Sequence, residues 1–257
     1  NLVILVIERY NILGIDISEN KTISFNAHHE RRVITSINKN PKISIIGKKN
    51  KITIYSIYQR TKFGDYERDG NPLIYSLKGI FNYTITINEL YKFKPSFLAI
   101  LNKIRDKIVN QNIIFIAMPS SSTVPYLLAR RISRHFKSTL YNEIFIKCTV
   151  EEVINRYANS TVNKKENHIK LLNRTLSELQ SLPPNTIFKM KHIPNKIRHY
   201  FSPWKIDPNF NIRKLNNYNI ILIDDLLSTG TTLNMATIEL NNLGFTCSTA
   251  ICLLSNL

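Results

Sequence analysis

With 257 residues, 43% of them hydrophobic, the chain is long enough to bury a sizeable core, and this composition excludes a disordered polymer. Lysine and arginine outnumber aspartate and glutamate by 35 to 18, giving a formal charge of +17 and a pI near 9.8. Such a field draws nucleic acid, phosphorylated metabolites or anionic membranes toward any fold, although an AT-biased coding sequence is a plain alternative source of so many lysines, asparagines and isoleucines. Cys148, Cys247 and Cys252 form no CxxC pair and no zinc spacing, which excludes a disulfide framework or structural zinc and points to a reducing, cytoplasmic setting.

The opening "NLVILVIERYNILGIDI" is apolar, but Glu8 and Arg9 interrupt it well short of the roughly 20 residues of a membrane span. It reads as strands. No basic region precedes it and no cleavage site follows, so neither a membrane segment nor a secretory signal is expected. The runs "ILGIDI", "KTISF", "RRVITSI", "KISIIG" and "KITIYSIY" alternate with period two and predict half-buried antiparallel strands, with turns at Asn40-Pro41 and Lys49-Asn50. The cluster Asp69-Gly70-Asn71-Pro72 breaks the pattern before a short apolar helix or strand. Residues 1–90 are therefore expected to form a β-rich N-terminal subdomain, hood-like or partner-binding.

From about residue 95 helices alternate with strands. "SFLAILNKIRDKIV" sets Phe97, Ile100, Leu101, Ile104 and Ile108 on one helical face, and "NIIFIA" at 112–117 is a continuous apolar run suited to a strand buried on both sides. Val124, Leu127, Leu128 and Ile132 stripe the next helix. "EIFIK" at 143–147 and "IILI" at 220–223 read as further strands. Leu233, Ala236, Leu240 and Leu243 mark a helix ended by Gly244 and followed by the strand "STAICLL". Residues 91–257 thus predict an α/β domain with a mostly parallel sheet flanked by helices, interrupted by a helical insertion at about 150–182.

One stretch within this pattern carries chemistry: "IILIDDLLSTGTTL", residues 220–233. Ligands of open α/β sheets sit at the carboxyl ends of strands, where Asp224 and Asp225 stand. Ionised carboxylates only accept hydrogen bonds, so the pair suits the vicinal hydroxyls of a ribose. Ser228, Thr229, Gly230, Thr231 and Thr232 follow as a hydroxyl-rich turn into a helix, where unpaired N–H groups and the positive helix end favour a phosphate. Gly230 permits close backbone approach and, where needed, a positive φ. A polar turn whose aspartates precede the next helix is the alternative reading.

This stretch resembles the signature loop of type I phosphoribosyltransferases, and most nearly the DDLLATGGT-like run of adenine phosphoribosyltransferases. The resemblance spans about 14 residues. It implies a phosphoribosyltransferase-like fold that binds 5-phosphoribosyl 1-pyrophosphate with magnesium and transfers phosphoribosyl to a nitrogen acceptor with release of pyrophosphate. It also implies that Asp224 and Asp225 serve as ribose-diol and magnesium-shell acids, and that Ser228 to Thr232 hold the 5-phosphate. Ser228 stands where some 6-oxopurine enzymes of the family carry an acid. A second family loop, for pyrophosphate, corresponds in order to "IAMPSSSTVPYLLARR", with Ser120, Ser121, Ser122 and Thr123 as donors; a serine-capped helix is the alternative there. The family's mobile flap corresponds to "KMKHIPNKIRHYF", where Lys189, Lys191 and Arg198 would face pyrophosphate unless the segment is simply a solvated basic strand. Family analogy favours a homodimer.

Two other functions compete with this reading. The basic charge and the run 187–205, where Phe188, His192, Tyr200, Phe201 and Trp204 alternate with cations, suit DNA or RNA bound by stacking and phosphate contacts. That would make the chain a regulator or a defence-system effector, with the enzyme site silent or gated by a partner, which could be another protein. A sensor that binds the sugar phosphate without turnover is the other. His28-His29 and Trp204 are expected to be structural.

Overall fold

The computed structural model describes residues 13–47, 50–61, 72–108, 112–160 and 162–255. The opening run through Tyr10, the turn residue Lys49 and the Asp69-Gly70-Asn71 cluster lie outside them. The alternating runs of the first part fold as β1 (Gly14–Ile17), β2 (Thr22–Asn26), β3 (Val33–Ile34), β4 (Lys42–Ile46) and β5 (Ile52–Arg60). Then come α1 (Pro72–Lys78), β6 (Thr84–Ile85), α2 (Ile87–Lys92) and α3 (Lys94–Ile108). The α/β pattern continues with β7 (Ile113–Ala117), α4 (Val124–Phe136), β8 (Thr139–Tyr141), β9 (Phe145–Lys147), α5 (Val150–Ala158) and α6 (Glu166–Gln180). The last elements are β10 (Trp204–Ile206), β11 (Asn219–Leu226), α7 (Thr231–Asn242) and β12 (Thr246–Leu254).

The main sheet is mixed and seven-stranded, in the order β3-β5-β12-β11-β7-β8, with β4 also paired to β5. The ladders joining β5, β12, β11, β7 and β8 are parallel, whereas β3 and β4 run antiparallel to β5. Strand β11 shows why such a strand has no polar residue between its first position, Asn219, and its end. Ile221 and Ile223 enter a core beneath α3 and α4, while Ile220 and Leu222 enter a second core beneath α7, all at most 1% exposed. The predicted helix face of α3 is found in that first core, with Ile100, Leu101, Ile104 and Ile108 buried.

Three particulars differ from the sequence expectation. The antiparallel strands β3 and β4 do not stand apart: they join the seven-stranded sheet through β5, whose Thr53–Tyr58 stretch pairs with β12, so this sheet draws on both sides of residue 90. Among the described residues of this part, only β1, β2 and β6 make a separate sheet, of three strands. The run "EIFIK" does not enter the parallel sheet, whose edge is β8; β9 pairs only with β10, antiparallel. Residues 189–201 are not a strand but two 3-10 turns, Met190–His192 and Asn195–Tyr200.

The β9/β10 ribbon is the stalk of the insertion. Between its strands, Cys148, Val153, Tyr157, Leu172, Phe188 and Phe201 contribute to a third apolar cluster, in which the rings of Tyr157 and Phe201 stack at 5.2 Å. A capping box starts α5, with Thr149 accepting from the Glu152 N–H and Glu152 accepting from the Thr149 N–H. Arg156 pairs with Glu239 of α7, tying the insertion to the helix that follows the Thr-Gly-Thr loop. No described helix is long and apolar enough to cross a membrane.

Candidate sugar-phosphate site

Strands β7 and β11 are adjacent and parallel, with Ala117 opposite Ile223 and the Met118 N–H donating to the Ile223 carbonyl at 2.8 Å. From β7 the chain passes through α4 to β8 on one side, and from β11 through α7 to β12 on the other. The connections diverge here, which makes the carboxyl ends of these two strands the topological switch point of the sheet, the crevice where α/β proteins take ligands. Both loops singled out by sequence, 119–123 and 227–230, leave from this point. Adjacent strands lie about 4.8 Å apart, so the loops start as neighbours.

The two acids differ in their surroundings because consecutive strand residues face opposite sides. Asp225 is 4% exposed and ion-paired with Lys78 in the last turn of α1, Oδ2 to Nζ at 2.6 Å. Asp224 is half-buried and accepts from the Asp225 backbone N–H through Oδ1 at 2.8 Å. Burial, followed by the Asp225 charge, holds the Asp224 carboxyl well above the usual carboxylate range, and that same N–H together with Lys78 pulls it partly back. Asp224 is therefore an acid that gains from an added cation or hydrogen-bond donor.

The loop after β11 is held at its first residue, Leu227. The Leu227 N–H donates to the Leu254 carbonyl at 2.9 Å, and the Arg60 guanidinium donates to the Leu227 carbonyl at 3.2 Å and to the Ser255 carbonyl at 2.5 Å. Ser228 and Thr229 are exposed and Thr231 and Thr232 half-buried. The hydroxyls of Thr229 and Thr231 share a hydrogen bond at 2.9 Å. Gly230 caps α7 with φ +73°, so the expected positive φ is found. Among the described residues no protein acceptor takes the N–H of Gly230, Thr232 or Leu233, leaving these donors at the positive end of a 12-residue helix. A Cβ on Gly230 would come within 2.4 Å of Ile46 Cδ1 at the end of β4. Gly230→Ala is accordingly expected to lower stability by about 1–2 kcal/mol, since an L side chain there adopts a left-handed conformation, and to weaken phosphate binding; urea unfolding with and without ribose 5-phosphate measures both.

In the loop after β7, Ser120 and Ser121 are exposed and Ser122 half-buried, with the Ser122 N–H donating to Ser120 Oγ at 3.2 Å. Thr123 occupies the N-cap of α4 but makes no side-chain cap bond, so its hydroxyl is not committed to the helix. The cations expected opposite the loops lie in the insertion. Lys189 and Lys191 are exposed, and Arg198 donates Nε–H to the Ile193 carbonyl at 2.8 Å. No hydrogen bond or ion pair among the described residues joins these three to Asp224, Asp225 or either loop.

Burial removes four of the five rings of the base-stacking expectation and leaves His192 exposed. Phe188, Tyr200, Phe201 and Trp204 are between 1% and 8% exposed, so their faces are spent on protein packing. His29 is structural as expected, with Nε2 2.8 Å from Asp16. The buried thiols are pushed up, Cys148 to about 11 and Cys247 to about 12, which leaves them unreactive at neutral pH.

Magnesium takes one or two carboxylates and completes its shell with water and substrate phosphates. Among the described residues no three or more His, Cys, Asp or Glu side chains gather as a metal cage. Of the two acids expected to share such an ion, Asp224 alone is half-buried, whereas Asp225 faces the other side of the strand, 4% exposed and paired with Lys78. Two positioning residues were not legible in sequence: Lys78, the one charged residue of α1, and Arg60, at the end of β5. Neither stands in a motif; only the adjacency of β5, β12 and β11 and the packing of α1 brings them here. No family model matches this chain, and no curated protein matches it.

Proposed function

We propose that this chain is a phosphoribosyltransferase-like protein that binds 5-phosphoribosyl 1-pyrophosphate with magnesium and transfers the phosphoribosyl group to a nitrogen acceptor. The observation that carries the reading is the departure of both candidate loops from adjacent parallel strands at the switch point, with Asp224 at the carboxyl end of β11. In this reading the free N–H groups of Gly230, Thr232 and Leu233 take the 5-phosphate, with the hydroxyls of Ser228, Thr229 and Thr231 around it. Asp224 accepts from a ribose hydroxyl and lends negative charge beside the carbon that becomes oxocarbenium-like. Hydroxyl and backbone donors of Ser120, Ser121 and Ser122 receive the pyrophosphate. The C1–oxygen bond to pyrophosphate breaks, a C1–nitrogen bond forms, and the acceptor's proton leaves to solvent. Magnesium, when bound, supplies positive charge to the departing pyrophosphate.

A second reading is a sensor or partner-gated protein that binds the same ligand without turnover. It is favoured by the loop 119–123, which has serines and no cation where pyrophosphate would leave. The experiment is pyrophosphate release from phosphoribosyl pyrophosphate with magnesium across nucleobases, nucleotides and short RNA and DNA, alongside direct binding of the sugar phosphate. Release with one acceptor is the expected result. Binding without release assigns the sensor, and absence of binding removes both readings.

A further inference from the structure

On the side of the sheet occupied by α1, α2, α3 and α4 lies a groove of about 630 Å³ that the sugar-phosphate reading does not use. Tyr58 and Leu253 form its floor, and it is bounded by Leu77, next to Lys78, and by Val124, which opens α4 after the serine loop. Its walls hold apolar side chains that face water: Ile87 is 69% exposed, Tyr91 66%, Leu127 53% and Leu90 37%. Single exposed apolar residues are ordinary, but four lining one concavity mark a binding surface. Only Lys94 and Arg131 bring charge to the lining, and neither makes an ion pair or hydrogen bond among the described residues.

We propose that this groove binds a small amphipathic acid, with an apolar body along Leu90, Tyr91 and Leu127 and a carboxylate that meets Lys94 and Arg131. The volume falls among those of small-molecule sites, roughly 300–1,000 Å³, which are mainly apolar with a few polar groups that orient the ligand. Charge complementarity selects an anion: two cations that no acid pairs with among the described residues gain from a carboxylate, the fork of arginine especially. The same argument disfavours a second copy of the chain, because a molecule of charge +17 would bring like charge to this face. The lining lacks the mixed donors and acceptors that read the edge of a nucleobase, so the ligand is chosen by apolar bulk and one negative group.

The test is calorimetric titration of the full chain with dodecanoate below its micelle concentration, against dodecyltrimethylammonium and dodecanol as probes of equal chain length. The expected result is one saturable dodecanoate site, about tenfold or more tighter than either comparison. Lys94→Met and Arg131→Met keep the apolar stems and are each expected to weaken dodecanoate by about tenfold, while Lys170→Met, exposed on α6, leaves it unchanged. Leu127→Asp, at an exposed position that does not threaten the fold, should abolish the site. Equal binding of the three probes, or dodecanoate binding unchanged in Lys94→Met and Arg131→Met, overturns the proposal. So does a sedimentation-detected dimer dissociated by Leu127→Asp, because a second copy would then cover the groove.

Discussion

Asp224→Asn is expected to weaken magnesium-dependent binding of phosphoribosyl pyrophosphate by about 100-fold or more, since charged hydrogen bonds contribute about 1.5–3 kcal/mol and the substitution also removes a metal donor. The same change is expected to stabilise the free protein at neutral pH. The carboxyl of Asp224 has its pKa raised in the folded state, from an ordinary 3.8 to about 7, so the folded protein binds its proton more tightly than the unfolded chain. Stability from this group is full below about pH 4 and is lost as pH rises toward 7. With allowance for partial exposure the loss is about 2 kcal/mol, and the asparagine variant should not show it. Calorimetric melting at pH 5 and pH 8, without and with magnesium and ligand, measures it. A wild type whose pH dependence matches the variant's, with unchanged ligand affinity, would remove Asp224 from the site. Should only binding fail, the acid acts on the ligand without being strained in the free protein.

The second large effect is on the fold. Lys78→Met leaves Asp225 buried with its cationic partner removed, at a position where the side chains of the pair are 21% and 6% exposed. Breaking such a pair from one side costs about 3 kcal/mol, because the remaining charge has neither water nor a counter-ion. The pair itself is a weak source of stability, so Lys78→Met/Asp225→Asn should recover most of the loss. Urea denaturation of the two variants separates these contributions. If Lys78→Met alone unfolds at the wild-type midpoint, the pair is solvent-screened and α1 is not tied to the carboxyl end of β11 in the way described. The result bears on the site as well, since Lys78 is the one described cation paired with either acid and its helix also borders the apolar groove.

The buried aromatics change what the basic charge can mean. A nucleic-acid surface on residues 187–205 would need exposed rings, and Tyr157 stacked on Phe201 shows where such rings go when a small insertion must build its own core. Lys189, Lys191 and His192 remain exposed, which leaves phosphate attraction with one ring in place of the five of the sequence reading.

What the residues determine by themselves is local. Continuous apolar runs mark β7 and β11 because a strand covered on both faces admits no polar position, and helical spacing marks α3, α4 and α7 because only one stripe is buried. Gly230 is legible for the same kind of reason: a turn into a helix beside hydroxyls is where a positive φ is needed, and φ is +73°. What only the tertiary structure decides is which of these segments become neighbours. Three isoleucine-rich strands can pair in many orders with similar hydrophobic gain, so nothing in "KITIYSIYQR" says that β5 lies beside β12, or that Arg60 therefore reaches the carbonyl of Leu227. Likewise Lys78 looks like any solvated lysine in sequence, and becomes the partner of Asp225 because packing of α1 brings its last turn to the end of β11. The chemistry of the candidate loop is written in adjacent residues; its counter-charge, its backbone tether and the groove beside it come from segments distant in the chain, Arg60 standing 167 positions from Leu227, joined by burial that is nondirectional until the whole core has formed.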